Sequence, residues 1–122
     1  YDGYVVVDGL TINGQFTPGE NIGDLGGLGI AHKAYRLSLQ GKEAPVIDGY
    51  TGDQRFFLGW AQVWRSKMRD EEAKLRLTTD PHSPPKFRAN GAAVNVNAFY
   101  EAFDVQEGDS MYLSPEDRVK IW

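Results

Sequence analysis

Thr17-Pro18-Gly19-Glu20-Asn21-Ile22-Gly23-Asp24-Leu25-Gly26-Gly27-Leu28-Gly29-Ile30-Ala31-His32 is the stretch that decides the fold. Thr17 can cap a helix, Pro18 suits the first helical position, and Glu20 stands where a capping-box glutamate belongs. The spacing predicts a helix running to Gln40, with Gly41 ending it. Yet five glycines fall in its first half. Each interior glycine costs ~1 kcal/mol relative to alanine, so something must offset them. At about 100° per residue, Glu20, Gly23, Asp24, Gly27, Ala31 and Ala34 share one stripe. Small residues there let another backbone come close. Two carboxylates one turn apart on such a face are expensive unless cations meet them. Two explanations stand side by side. Glu20 can be only the capping-box partner of Thr17, with Asp24 favouring the positive helix N-terminus. Alternatively the pair serves a metal or a cationic partner.

Outward from this helix the pattern predicts a mainly α chain with a small β element at the start. In residues 1–16, Tyr4-Val5-Val6-Val7 and Leu10-Thr11-Ile12 are strand-like, and Asp8-Gly9 and Asn13-Gly14 are turn dipeptides, so a hairpin is expected. Residues 41–52 are a loop by composition. A second helix begins near Asp53, with Phe57, Trp60, Ala61, Trp64 and Met68 on one apolar face. Asp70-Glu71-Glu72 opens a third, through Leu77. Residues 78–91 carry Pro81, Pro84 and Pro85 and are expected to be irregular. A last helix spans 95–103, capped by Asn95 or Asn97, before a surface turn and tail.

The 122 residues suit one domain, and the net charge of −4 lacks the basic stripe of a nucleic-acid binder. No apolar run reaches the length of a membrane span. With no cysteine, disulfides and thiolate metal sites are excluded. Taken singly, the candidate residues have bland explanations. His82 sits in a proline-rich loop, Arg88 can simply pack beside Phe87, the aromatic face can be core, and His32 is expected at the helix surface.

Four separated motifs are more specific than any of these. Glu20-Asn21-Ile22-Gly23-Asp24-Leu25-Gly26-Gly27 resembles the E-N-x-x-D-x-G-G motif of the neprilysin family of zinc endopeptidases. Phe56-Phe57 with Ala61-Gln62 and Trp64 is similar to that family's F-F-x-x-x-A-Q-x-W segment. Asp80-Pro81-His82-Ser83-Pro84 with Phe87-Arg88 resembles its D-x-H-S-P-x-x-F-R segment, and Arg118-Val119 through Trp122 its chain end. The cysteine-free composition is similar to the bacterial members.

The resemblance implies that the chain, 1–122, is the C-terminal segment of a zincin-like catalytic domain. Glu20 would be the third Zn2+ ligand, and Asp24 would orient a zinc-binding histidine. His82 would stabilise the oxyanion of the tetrahedral intermediate, with Asp80 holding it. Arg88 would grip a substrate carbonyl, and Trp64 would line the pocket for the side chain after the cut. Oligopeptides would be the substrates, and an extracellular, periplasmic or membrane-anchored parent the setting. One departure matters. The family's H-E-x-x-H helix, source of two zinc ligands and the general base, does not occur here. His32 lies about 120° around the helix from Glu20 and cannot replace it. A catalytic zinc site needs three protein ligands and an open position. The segment is therefore expected to be inert alone, to bind zinc weakly or not at all, and to expose its glycine face, through which it could self-associate. The competing classes are a non-catalytic α-rich module that binds peptide or protein, and a sugar-binding surface of stacked aromatics.

Overall fold

A computed structural model describes residues 1–121. The chain is mainly helical: β1 (Val5–Val7), β2 (Leu10–Thr11), α1 (Pro18–Ser38), α2 (Gly52–Val63), α3 (Asp70–Thr79), α4 (Pro85–Ala93) and α5 (Asn97–Phe103). The two strands pair antiparallel. Their reversal uses Asp8 (φ 47°) and Gly9 (φ 77°), both left-handed, which suits a two-residue hairpin turn. The Asp8 carboxylate reaches across to Lys74 of α3 at 2.6 Å.

The long glycine-bearing helix forms, but its start differs from expectation. Thr17 takes the cap position without a side-chain cap. Its Oγ1 donates to the Asn13 carbonyl at 3.2 Å and accepts from Asn21 Nδ2 at 3.1 Å. No capping box is made, and Glu20 is left for other partners. The helix stops at Ser38 rather than Gln40, since Gln40 (φ 51°) and Gly41 (φ 77°) are left-handed. Gly23 and Gly27 face open space, so the small-residue stripe is exposed.

Further along, α2 has the capping box that α1 lacks, made by Thr51 and Gln54. It ends at Val63, so the apolar face does not run on to Met68. The chain leaves the helix at Trp64 (φ −92°, ψ 1°), whose ring lies 4.3 Å from the Arg88 guanidinium. The expected irregular stretch 78–91 instead contains the start of α4. Pro84 and Pro85 sit at its N-cap and first turn, where a missing N–H costs nothing and φ is already helical. For α5 neither predicted asparagine caps; Val96 holds that position. Asn95 instead donates to the Gly91 carbonyl and accepts from Val119 N, both at 2.7 Å, tying the tail to α4. Trp122, part of the tail motif, lies outside the described residues.

Leu28, Phe57, Ala92, Ala93, Phe99 and Tyr100 form the core where α1, α2, α4 and α5 meet. The Phe57 and Phe99 rings meet edge to face at 5.6 Å. His32 is not the surface residue expected of it. Its ring stacks on Phe57 at 5.7 Å, and its Nε2 lies 3.0 Å from Asp53 Oδ1, joining α1 to α2. Among the described residues, no helix is long and apolar enough to cross a membrane. Core packing thereby fixes the first turns of α1 beside α4 and the loop before it.

Candidate active site

Three pieces of chain converge at one end of this frame: the first turns of α1, the α3–α4 loop, and the start of α4. Glu20 and Asp24, one turn apart, project from α1 towards Arg88. The guanidinium grips Asp24 with two parallel bonds, Nε to Oδ2 at 2.5 Å and Nη2 to Oδ1 at 2.7 Å. Nη2 also reaches Glu20 Oε2 at 3.3 Å. Such a fork matches a planar carboxylate and adds direction to charge. Asp24 and Arg88 side chains are 9% and 12% exposed, so this is a largely desolvated pair. Its hydrogen bonds to Asp24, with the charge of Glu20 added, hold the Arg88 guanidinium above its usual range. The Trp64 ring covers the other side of that guanidinium.

His82 is fixed from within its own loop. Asp80 Oδ1 accepts from the His82 backbone N–H at 3.0 Å and meets ring Nδ1 at 2.6 Å. Those two bonds, the ring's first, hold the Asp80 carboxyl below the usual carboxylate range, with Arg76 a smaller contribution. The other ring nitrogen, Nε2, lies 3.2 Å from Glu20 Oε2. His82 is thus neither a free loop residue nor enclosed: 44% of its side chain is exposed, as is 47% of Glu20.

The six residues named for the site therefore come together. Glu20, Asp24 and Arg88 form one charged cluster, His82 joins it through Glu20, Asp80 supports His82, and Trp64 covers Arg88. Asp24 faces Arg88 here, and neither histidine of the chain contacts it. Sequence reasoning missed that pairing: two acids one turn apart called for a cation, but nothing local named which one. Arg88 is that cation, 64 residues away. A cavity of about 210 Å³, lined by Trp64, Ala73, His82 and Arg88 among others, opens beside the cluster.

The donor set suits one zinc ligand. A half-exposed carboxylate is a fit ligand, and the close contacts of Glu20 with His82 and Arg88 both go to Oε2, leaving Oε1 outside them. Asp24 is occupied by its fork. Among the described residues, no group of three His, Asp or Glu is arranged to hold a metal.

The model of Peptidase family M13 matches residues 1–119. The chain belongs to peptidase family M13. The neprilysin-family resemblance thus holds over nearly its whole length. Among relatives, it is 37% identical to Neprilysin-3 of Drosophila melanogaster, covering 100% of this chain and 16% of that protein. It is 41% identical to the Neutral endopeptidase of Lactococcus lactis, covering 90% and 16% respectively. The crystal structure of Mycobacterium tuberculosis zinc metalloprotease Zmp1 with an inhibitor superposes with a TM-score of 0.97 at 57% identity, over 100% of this chain and 20% of that one. The fold accordingly matches the corresponding part of that zinc metalloprotease, and the chain spans a fifth or less of each of these relatives.

Proposed function

We propose that residues 1–122 are the C-terminal segment of an M13 catalytic domain, in a zinc endopeptidase that hydrolyses oligopeptides outside the cytoplasm or at a membrane. The observation that carries this reading is the meeting of Glu20, His82 and Arg88 within 3.3 Å contacts, from stretches up to 68 residues apart. Glu20 is the third zinc ligand, with two ligands supplied by the rest of the domain. Glu20 would hold zinc there together with those two ligands, and the metal would supply polarisation of the scissile carbonyl and a bound water of pKa about 7.

This chain's own residues do the remaining work. His82 donates its Nδ1–H to the Asp80 carboxylate and, in its imidazolium form, donates its Nε2–H to the carbonyl oxygen as negative charge builds there. Such a donor is worth more in the transition state than in the ground state, and losing one costs roughly 10²–10³ in rate. Asp24 fixes the Arg88 fork and has lone pairs left for a zinc-bound histidine of the same domain. Arg88 offers its remaining donor, Nη1, to a substrate carbonyl away from the reacting centre. Trp64 walls the cavity that takes the side chain after the cut. Alone, the segment is inert, because one ligand does not hold a catalytic zinc.

The test uses the full-length protein. Glu20→Gln loses zinc, whereas His82→Ala keeps zinc and loses roughly 10²–10³ in kcat. Residues 1–122 by themselves neither bind zinc one-to-one tightly nor cleave peptides. Normal turnover in both variants, or hydrolysis by the segment, would defeat the assignment.

A further inference from the structure

Glu20 stands at the third position of α1, where a glutamate ordinarily turns back to close a capping box with the residue before the helix, as Gln54 does with Thr51 at the start of α2. Thr17 is of the right type and at the right spacing, yet the box is not made. Both of its groups are engaged elsewhere. The Thr17 backbone N–H, which the Glu20 carboxylate would have to receive, donates to the Asn13 carbonyl at 3.2 Å. The hydroxyl, which would receive the Glu20 N–H, gives its proton to that same carbonyl at 3.2 Å and accepts from Asn21 Nδ2 at 3.1 Å. A hydroxyl has one proton to give, so what it meets from residue 21 has to be a donor; asparagine supplies one and an ionised aspartate would not. Thr17 and Asn21 are buried, at 4% and 6% exposure, and the amide's other end, Oδ1, has no partner among the described residues. Thr17 also holds φ −107° and ψ 5°, away from the extended conformation (φ −65°, ψ 167°) in which Thr51 makes its box. Glu20 is left to reach across to His82 and Arg88.

We propose that Asn21 is a positioning residue for zinc: by occupying the Thr17 hydroxyl it keeps the capping box from forming, and so keeps the Glu20 carboxylate turned towards the metal. This rests on the reading of Glu20 as a zinc ligand and adds what holds that ligand in place. Two arrangements compete for one carboxylate. In one it turns back to the helix end, where unpaired N–H groups and the positive end of the helix stabilise it. In the other it faces the site. The chain of bonds through Asn13, Thr17 and Asn21 removes the first arrangement by taking both groups that the box would use.

The experiment measures the zinc affinity of the full-length protein by competition with a chromophoric chelator, alongside thermal unfolding of its metal-free form. Asn21→Ala weakens zinc binding about tenfold or more. It does so although alanine favours a helix more than asparagine does, so a weaker helix is not the cause. Thr17→Val/Asn21→Ala also removes the hydroxyl that the box needs, and it binds zinc within about twofold of the unmutated protein. A network that merely stabilises the helix start gives the opposite order, with the double variant no better than Asn21→Ala. Asn21→Ser offers no amide, since its hydroxyl bonds the carbonyl four residues back, and it gives the same loss should Asn21→Ala not fold. Unchanged zinc affinity in Asn21→Ala, or a double variant as weak as the single one, overturns the role of Asn21 while Glu20 stays a ligand. Full zinc affinity in Glu20→Gln overturns both.

Discussion

Phe57 is 3% exposed among Leu28, Phe99 and Phe103, whereas Glu20, at the other end of the same helical frame, is 47% exposed among Arg88 and His82. The first region is held by area removed from water and by ring geometry, which are tolerant of direction. The second is held by directed, charge-assisted bonds, which are not. The aromatic core can therefore position the site, but it cannot set the aim of its side chains. That is left to the Asp24–Arg88 fork and the Asp80–His82 pair.

The largest effect should come from the core. Phe57→Ala is expected to cost roughly 3–5 kcal/mol in denaturant unfolding, through lost transfer energy and a cavity. A cost below 1 kcal/mol would mean that the aromatic cluster does not carry the fold. Next, Arg88→Ala strands Asp24 with little water, and about 2–3 kcal/mol should be lost. A double-mutant cycle with Asp24→Ala should return a coupling of about 1–2 kcal/mol, and additive losses would dissolve the fork as an energetic unit. Third, Gly27→Ala should stabilise residues 1–122 by up to ~1 kcal/mol, because a Cβ there meets nothing and helix propensity improves. The same change in the full-length protein should destabilise it if another backbone sits against the stripe. Stabilisation in both would show the face uncovered throughout.

The smallest effect concerns acid. Asp80 has a folded-state pKa below its unfolded value of about 3.9, so its contribution is full above that value and lost as pH falls through the folded one. Wild type should exceed Asp80→Asn by less than about 1 kcal/mol at neutral pH, since the pair is partly solvated, and the two unfolding curves should meet in acid. A gap that persists at pH 2 would assign Asp80 a role other than its charge.

The helical frame was largely legible because periodicity and turn chemistry are local. Asp8-Gly9 announced the hairpin, and Phe57 and Trp60 announced the buried side of α2. The misses have physical causes. Pro84-Pro85 suggested a break, although proline is also at home in the first turn of a helix, and the buried Ala89, Gly91, Ala92 and Ala93 are too small to stand out as an apolar face. Asn95 is of a type that favours caps, yet its amide is claimed by Gly91 and Val119. For His32, nothing local foretells Asp53 and Phe57 opposite it. At the site, Asp80 and His82 are neighbours in sequence and their bond could be read. Arg88 and Asp24 are joined only by the fold, so their fork could not.

The hairpin turn also bears on the helix packed beside it. Asp8 is suited to that reversal by its tolerance of left-handed backbone, yet its carboxylate also pairs with Lys74 of α3. These two duties are separable, since asparagine accepts the same backbone without the charge. Asp8→Asn would leave the turn intact and release one tie to α3, so the anchoring of that helix could be tuned from a surface loop.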